Sequence, residues 1–252
     1  MAAVLEISGL NKSFGGIRVA KDVNLSLEAG RVRGLIGPNG AGKTSLFNLA
    51  LGIVKPDSGS VRLNGQLLDR MPTFRRVRLG LARTWQHVRL FPSLTVIDNL
   101  LVGTDTYPGE NLADILFRPG AVRRHIATSL ERAHEILRLC GLETCAEQTM
   151  ADLPYGRQKL VGVARALMGG ARCLLLDEPM AGVEGQFYVA MQKVVRDVAQ
   201  SGVAVGVVEH NVGFIRDLCD EGVFMFAGEI LARGSVADLM SDPALTELYF
   251  GA

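Results

Sequence analysis

Long hydrophobic runs are missing from this chain: no stretch of its 252 residues approaches the ~18–20 consecutive apolar residues of a bilayer span, so no membrane-crossing helix is expected. The N-terminal MAAVLEISGL has no basic region ahead of a long apolar segment, so no secretory signal is expected either. Charge of one sign is absent. Lys and Arg number 27 against 26 Asp and Glu, and the formal charge of +1 argues against a broad nucleic-acid footprint. Cysteine is scarce: of four, only Cys140 and Cys145 are close, and neither belongs to a paired C-x-x-C framework, so free thiols in a reducing cytosol are expected. There is no internal repeat and no low-complexity tract. What is present is a globular composition, 48% hydrophobic and 21% charged, at the upper size of one domain or of one domain with a subdomain.

Against that background one stretch stands out: Leu35-Ile36-Gly37-Pro38-Asn39-Gly40-Ala41-Gly42-Lys43-Thr44-Ser45. It satisfies G-x-x-x-x-G-K-[ST], and its context is the required one. Val32 to Ile36 reads as a short strand, and Thr44 to Leu51 as the start of a helix. Glycines at 37, 40 and 42 let successive N–H groups turn into one hollow at the positive end of a helix dipole, an anion cradle. Lys43 then reaches the β- and γ-phosphates of a nucleotide, and the Thr44 hydroxyl has a place on Mg²⁺.

Upstream, Val4 to Ile7 and Ile17 to Leu27 read as strands around a turn at Phe14-Gly15-Gly16, a small β layer over residues 1–30. Phe14 is open to two readings, a core or turn aromatic or a face on which a flat purine stacks. Downstream, Gly59 to Leu68 suggests a hairpin turning at Asn64-Gly65. Residues 70–89 hold Arg70, Arg75, Arg76, Arg78, Arg83 and Arg89 around Trp85. The neutral total favours a solvated helix face or a partner-docking surface there over an RNA-binding patch.

Leu81 to Gln86 reads as a strand ending in a polar residue and Val96 to Val102 as a helix, while 104–120 carries turn residues, as an insertion would. Val122, Ile126, Leu130, Ala133, Leu137 and Cys140 recur at helical spacing up to Gly141. His125 and His134 on that helix need no metal. A helical subdomain is therefore expected over about 87–168, with residues 1–86 and 169–252 forming the β layer and an α/β core. Cys173 to Leu176, Val203 to Val208, Val223 to Phe226 and Ile230 to Leu231 read as strands. A helix over Gln186 to Gln200, a shorter one, and a terminal helix capped by Ser235 accompany them. Continuous apolar strands joined by helices mean a mostly parallel sheet covered on both faces.

The strand Leu174-Leu175-Leu176 ends in Asp177-Glu178-Pro179, placing two carboxylates at a sheet's carboxyl edge, where open α/β sheets bind ligands. Asp177 suits the second Mg²⁺ position of a phosphate-loop ATPase, and Glu178 can orient and deprotonate water. Taken alone, DEP is also an ordinary strand-ending turn. His210, ending the next apolar strand, is either a rim residue or a donor to a γ-phosphate.

Together these residues resemble the nucleotide-binding subunit of ATP-binding-cassette (ABC) transporters, over essentially the whole chain and in the family's order. Phe14 matches the adenine-stacking aromatic, Gly37 to Thr44 the Walker A loop, and Gln86 the Q-loop glutamine. Leu153-Pro154-Tyr155-Gly156-Arg157 falls at the LSGGQ signature, followed by Gln158 and the run Leu160 to Leu167. Leu176 to Glu178 resembles the end of Walker B, Ala181-Gly182-Val183-Glu184 the D-loop, and His210 the switch histidine. Thr84 to Phe91 and the tail Ser241-Asp242-Pro243 to Gly251 resemble the branched-chain amino-acid importer subclass. Lipopolysaccharide-export ATPases have a similar tail, and related cassettes import urea and other small polar solutes.

The resemblance implies Gly37 through Ser45 as the cradle of ATP, with Thr44, Gln86 and Asp177 around Mg²⁺. It makes Lys43, Gln86, Glu178 and His210 the catalytic set, and Tyr155 and Gly156 the face offered to a partner's ATP. It implies a dimer of cassettes, permease subunits docked near Gln86, a solute-binding protein indirectly, and a place on the cytoplasmic face of the membrane. Glu184 stands where the D-loop aspartate is usual; Pro154 replaces the signature serine and Arg157 its glutamine, and these two point to an asymmetric dimer with a second kind of cassette. A soluble ABC ATPase working on nucleic acid or the ribosome is the alternative class, but it would need coiled-coil insertions or a second cassette. A phosphate-loop kinase or GTPase would leave 153–158 and His210 without a reason.

Overall fold

In a computed structural model, residues 3–86, 89–104, 116–183 and 185–250 are described, Phe250 by its backbone alone. Of the residues singled out above, His87, Val88, Glu184, Gly251 and most of the 104–120 stretch lie outside the described residues.

The alternating N-terminal segments form a long hairpin, Ala3–Phe14 (β1) and Ile17–Glu28 (β2), turning at Gly15-Gly16. β1 runs further than the expected strand Val4 to Ile7, because register shifts near Gly9 absorb the break in alternation and let pairing continue. The apolar Val32–Ile36 (β3) leads through the glycine-rich loop into Lys43–Ala50 (α1). Ser58–Leu63 (β4) and Gln66–Leu67 (β5) then pair across Asn64-Gly65, both at positive φ as such a two-residue turn demands. These outer strands make an antiparallel sheet of order β2-β1-β4-β5.

After Thr73–Arg78 (α2) comes Leu81–Arg83 (β6), which stops three residues short of the expected strand end. Thr84 still donates its amide to the Leu175 carbonyl at 2.9 Å, and Trp85 and Gln86 leave the ladder. Helices Val96–Leu101 (α3), Pro119–Leu139 (α4) and Tyr155–Met168 (α5) precede Cys173–Asp177 (β7). The remainder is Gln186–Gln200 (α6), Ala204–Val208 (β8), Val212–Leu218 (α7), Glu221–Phe226 (β9), Glu229–Gly234 (β10), Val236–Ser241 (α8) and Pro243–Phe250 (α9). The expected single terminal helix is two. Ser235 caps the first as anticipated, through its hydroxyl on the Asp238 amide, but Pro243 starts a second.

The second sheet has order β10-β9-β3-β8-β7-β6, parallel except for β10. Alternate residues of its strands face two cores. Leu174, Leu176, Val205 and Val207 pack with Leu100, Ile136, Leu137 and Val161 of the helices. Cys173, Leu175, Ala204 and Val208 pack with Phe47 and Leu46 of α1 and with Leu25 and Leu27 of the antiparallel sheet. Each fully buried Leu, Val or Phe contributes about 1.5–3 kcal/mol of transfer free energy. The consequence for the site is stiffness: β3, β7 and β8 are held on both faces, so the residues at their carboxyl ends are fixed relative to one another.

Candidate functional site

The chain leaves β3 at Gly37, whose φ of 154° and close approach to β9 exclude a side chain: a Cβ there would lie 2.0 Å from the Met225 carbonyl oxygen. At Gly42, the residue capping α1, φ is 103° and a Cβ would lie 2.3 Å from the Val19 carbonyl oxygen. Between them Asn39, Gly40 and Ala41 curve around a hollow that continues over Lys43, Thr44 and Ser45 at the start of α1. Ile17, Val19, Glu178 and His210 complete its wall. Unpaired N–H groups and the helix dipole make this end of α1 electropositive.

The Lys43 ammonium donates to the carbonyls of Gly37 at 2.6 Å and Pro38 at 2.9 Å, closing the loop on itself. Burial pulls its pKa below the ordinary lysine value, and the charges of Glu178 and Asp177 pull it partway back. A triphosphate offers the same ammonium better acceptors, charged and multidentate.

Two carboxylates face this loop, each fully engaged. Asp177 Oδ1 accepts from the Thr44 hydroxyl at 3.1 Å, and Oδ2 from Arg83 Nη2 at 2.5 Å. Glu178 sits in the left-handed region, φ 47°, a strained conformation for a residue with a side chain. Its Oε2 accepts from Gln86 Nε2 at 2.5 Å, and its Oε1 lies 3.0 Å from His210 Nε2. Gln86, Glu178 and His210 are thereby brought together beside Lys43.

Thr44 and Asp177 supply hard oxygen donors, the chemistry Mg²⁺ takes when a protein gives it one or two ligands and a substrate's phosphates give the rest. Among the described residues no group of three or more His, Cys, Asp or Glu could hold a metal alone. Gln86 is turned to Glu178 rather than to the Thr44–Asp177 pair.

Phe14 stands half-exposed at the hairpin tip opposite Ile17, beneath the Lys12 ammonium, and the hollow's wall is made by Ile17 and Val19 instead. Tyr155 and Gly156 open α5 and do not line the hollow. Tyr155 is exposed, and Gly156 is packed where a Cβ would strike the Phe187 ring at 2.5 Å.

Four buried ions were not anticipated. Of the arginines read as a solvated or docking surface, Arg76 and Arg83 are in fact interior. Arg76 caps the end of α1 through the Leu49 and Ala50 carbonyls, and the Arg83 side chain is 3% exposed. Lys159, within α5, donates to the Gln86 carbonyl at 2.5 Å and the Glu178 carbonyl at 3.2 Å. Glu209 accepts from the amides of Met180, His210 and Asn211, fastening the segment after Glu178 to the one carrying His210. Burial raises its pKa against the pull of those amides, with Glu178's charge adding to the rise. The one sequence signal was position: Arg83, Lys159 and Glu209 each lie within three residues of a motif, and Arg76 has no such signal.

A family profile described as "ABC transporter" matches residues 20–181. The branched-chain amino acid transport ATP-binding protein BraF of Pseudomonas aeruginosa is 34% identical over 249 residues, 98% of each chain. LivG of Escherichia coli, of the same description, is 32% identical over the same share. The lipopolysaccharide export ATP-binding protein LptB of Acidithiobacillus ferridurans is 31% identical over 100% of this chain and 98% of its own. Among solved structures, the ADP conformation of an ABC-transporter ATP-binding cassette superposes with a TM-score of 0.86 at 28% identity, covering 100% of both chains. A nucleotide-free cassette gives 0.84 at the same identity and coverage.

Proposed function

The chain belongs to the ABC transporter family, and from that membership we propose that it binds and hydrolyses ATP to drive a branched-chain amino-acid importer. Phosphates enter the hollow of Gly37 to Ser45, where loop amides and the start of α1 receive them. Lys43 exchanges the Gly37 and Pro38 carbonyls for phosphate oxygens. Thr44 and Asp177 would hold Mg²⁺, which when bound neutralises charge on the β- and γ-phosphates. Glu178 takes a proton from the attacking water at its carboxylate; Gln86 and His210 hold that carboxylate from both sides. His210 also presents an imidazole toward the γ-phosphate. Phe14 supplies the adenine face, and the strained Glu178 backbone keeps the carboxylate aimed inward.

The partner chemistry follows. Tyr155 and Gly156 face the ATP of a second cassette. Pro154, with no N–H and no hydroxyl, and Arg157, an added charge, favour a second cassette of a different kind. The groove between α2, Trp85 and α5, lined by Ile53, Val77, Trp85 and Arg89, receives the permease, which places the chain on the cytoplasmic face of the membrane. Residues 87–168 form the part that moves with that permease.

The observation that carries this reading is Glu178 held between Gln86 and His210, beside a phosphate loop closed on its own lysine. The test uses the transporter assembled with its permeases and its solute-loaded binding protein. Hydrolysis is expected to rise with branched-chain amino acids and to fall by about a hundredfold or more in Glu178→Gln, the scale of a lost general base. ATP binding stays unchanged in that variant. Near-normal turnover in Glu178→Gln removes Glu178 from the reaction, and stimulation by a lipopolysaccharide permease instead would move the chain to export.

A further inference from the structure

A carboxylate that serves a metal must present the correct oxygen, and a carboxylate on a flexible bond presents either. In Asp177 the choice is already made, and not by the phosphate loop alone. Thr44 engages Oδ1, while Oδ2 is held by Arg83 at 2.5 Å, a contact in which the two side chains are 3% and 4% exposed. Arg83 sits on β6, the strand paired with β7, opposite Leu175. Its second terminal nitrogen donates to Asn48 Oδ1 at 2.5 Å, and Asn48 lies one turn beyond Thr44 on α1. The guanidinium is further confined by aromatic faces, 4.6 Å from the Trp85 ring centre and 5.9 Å from that of Phe47. Its Nε has no hydrogen-bond partner among the described residues, a cost that placement for satisfaction alone would avoid. One planar fork therefore ties the helix carrying Thr44 to the strand carrying Asp177, a bidentate role a lysine's point charge cannot reproduce.

We propose that Arg83 is a positioning residue for the metal: held by Asn48 and stacked on Trp85, it locks Asp177 with Oδ1 turned to Thr44, and so sets the affinity for Mg²⁺. The inference rests on reading Thr44 and Asp177 as the Mg²⁺ pair. Partners that orient a metal ligand from behind are worth about 10- to 100-fold in metal affinity.

The test is calorimetric titration of the full chain with ADP, in EDTA and in Mg²⁺, and needs no turnover. The quantity read is the factor by which Mg²⁺ tightens ADP binding. Arg83→Gln would leave Asp177 a buried charge without a counter-ion and risks unfolding. Arg83→Lys keeps the charge, and Asn48→Ala leaves the ion pair but removes its second anchor. In Arg83→Lys the Mg²⁺ factor should fall by about tenfold or more, with the EDTA affinity unchanged. Asn48→Ala should fall in the same direction by less. An Mg²⁺ factor equal to wild type in both variants overturns the proposal. So does an EDTA affinity that falls in parallel, which marks Arg83 as structural support only. A wild-type chain whose ADP binding ignores Mg²⁺ would instead remove the Thr44–Asp177 reading on which the proposal stands.

Discussion

Lys159 is a buried ammonium whose hydrogen bonds go to two backbone carbonyls rather than to a carboxylate. Burial lowers its pKa, and the charges of Glu209, Glu178 and Asp177 work in the other direction. Those carbonyls belong to Gln86 and Glu178, whose side chains meet each other, so the lysine holds both ends of the contact by their backbones. It does so from α5, the helix that begins with Tyr155 and Gly156. Replacing it by methionine fills the space but takes the donor from two part-buried carbonyls. The expected cost is about 1 kcal/mol of unfolding free energy, the scale of a hydrogen bond lost where water can partly replace it. Urea denaturation measures it. Because the phosphate loop is untouched, Lys159→Met should bind ATP as wild type does while hydrolysing it more slowly. An equal loss in both would place Lys159 in general support of the fold.

The loop-to-helix unit from Gly37 to Ala50 is determined almost wholly by local chemistry, which is why its sequence is so readable. Gly42→Ala tests that dependence. The left-handed φ of 103° costs an alanine about 1–2 kcal/mol, and its Cβ would meet the Val19 carbonyl at 2.3 Å, backbone that cannot rotate away. α1 must then shift against β2. ADP affinity should fall by roughly tenfold or more, since each 1.4 kcal/mol lost from the bound state is a factor of ten. Calorimetry with Gly42→Ala checks it, and unchanged affinity would mean the loop adapts. The buried strands β7 and β8, the Asn64-Gly65 hairpin and the Ser235 cap were legible for the same reason: each follows from its own residues and nearest neighbours. Arg83 and Lys159 were not. Arg83 sits in a run of arginines that reads as surface, and what draws it inside is Asp177, 94 positions later. In the tail, Asp242 accepts from the Ala244 amide and so caps a second helix that begins on Pro243. Helical periodicity does not register such a break.

On the scale of the whole molecule, alternate residues of single strands belong to different cores. Cys173 and Leu175 of β7 face the antiparallel sheet, whereas Leu174 and Leu176 face the helices. Neither core can open while the other keeps that strand in place, so one cooperative unfolding transition is expected. The cysteines provide probes on both sides: Cys140 lies in the helical core and Cys173 in the other, and the described structure contains only free thiols. Burial pushes the Cys140 thiol up from 9.0 to about 12, with Asp197 and Glu143 adding to the rise, and it raises Cys173 and Cys219 as well. In the unfolded chain these thiols ionise near the ordinary value; in the folded protein they keep their protons. Their contribution is therefore complete below pH 9 and is lost as pH climbs toward 12, at up to about 1.4 kcal/mol per pH unit for each thiol. Chemical denaturation followed from pH 8 to 10.5 should show stability falling over that window. Cys140→Ala and Cys173→Ala should each flatten the fall of the same single transition. Two transitions, each responding to one cysteine, would show that the sheet does not bind the cores into one unit, and that the carboxyl-edge residues are held less rigidly than the shared strands require.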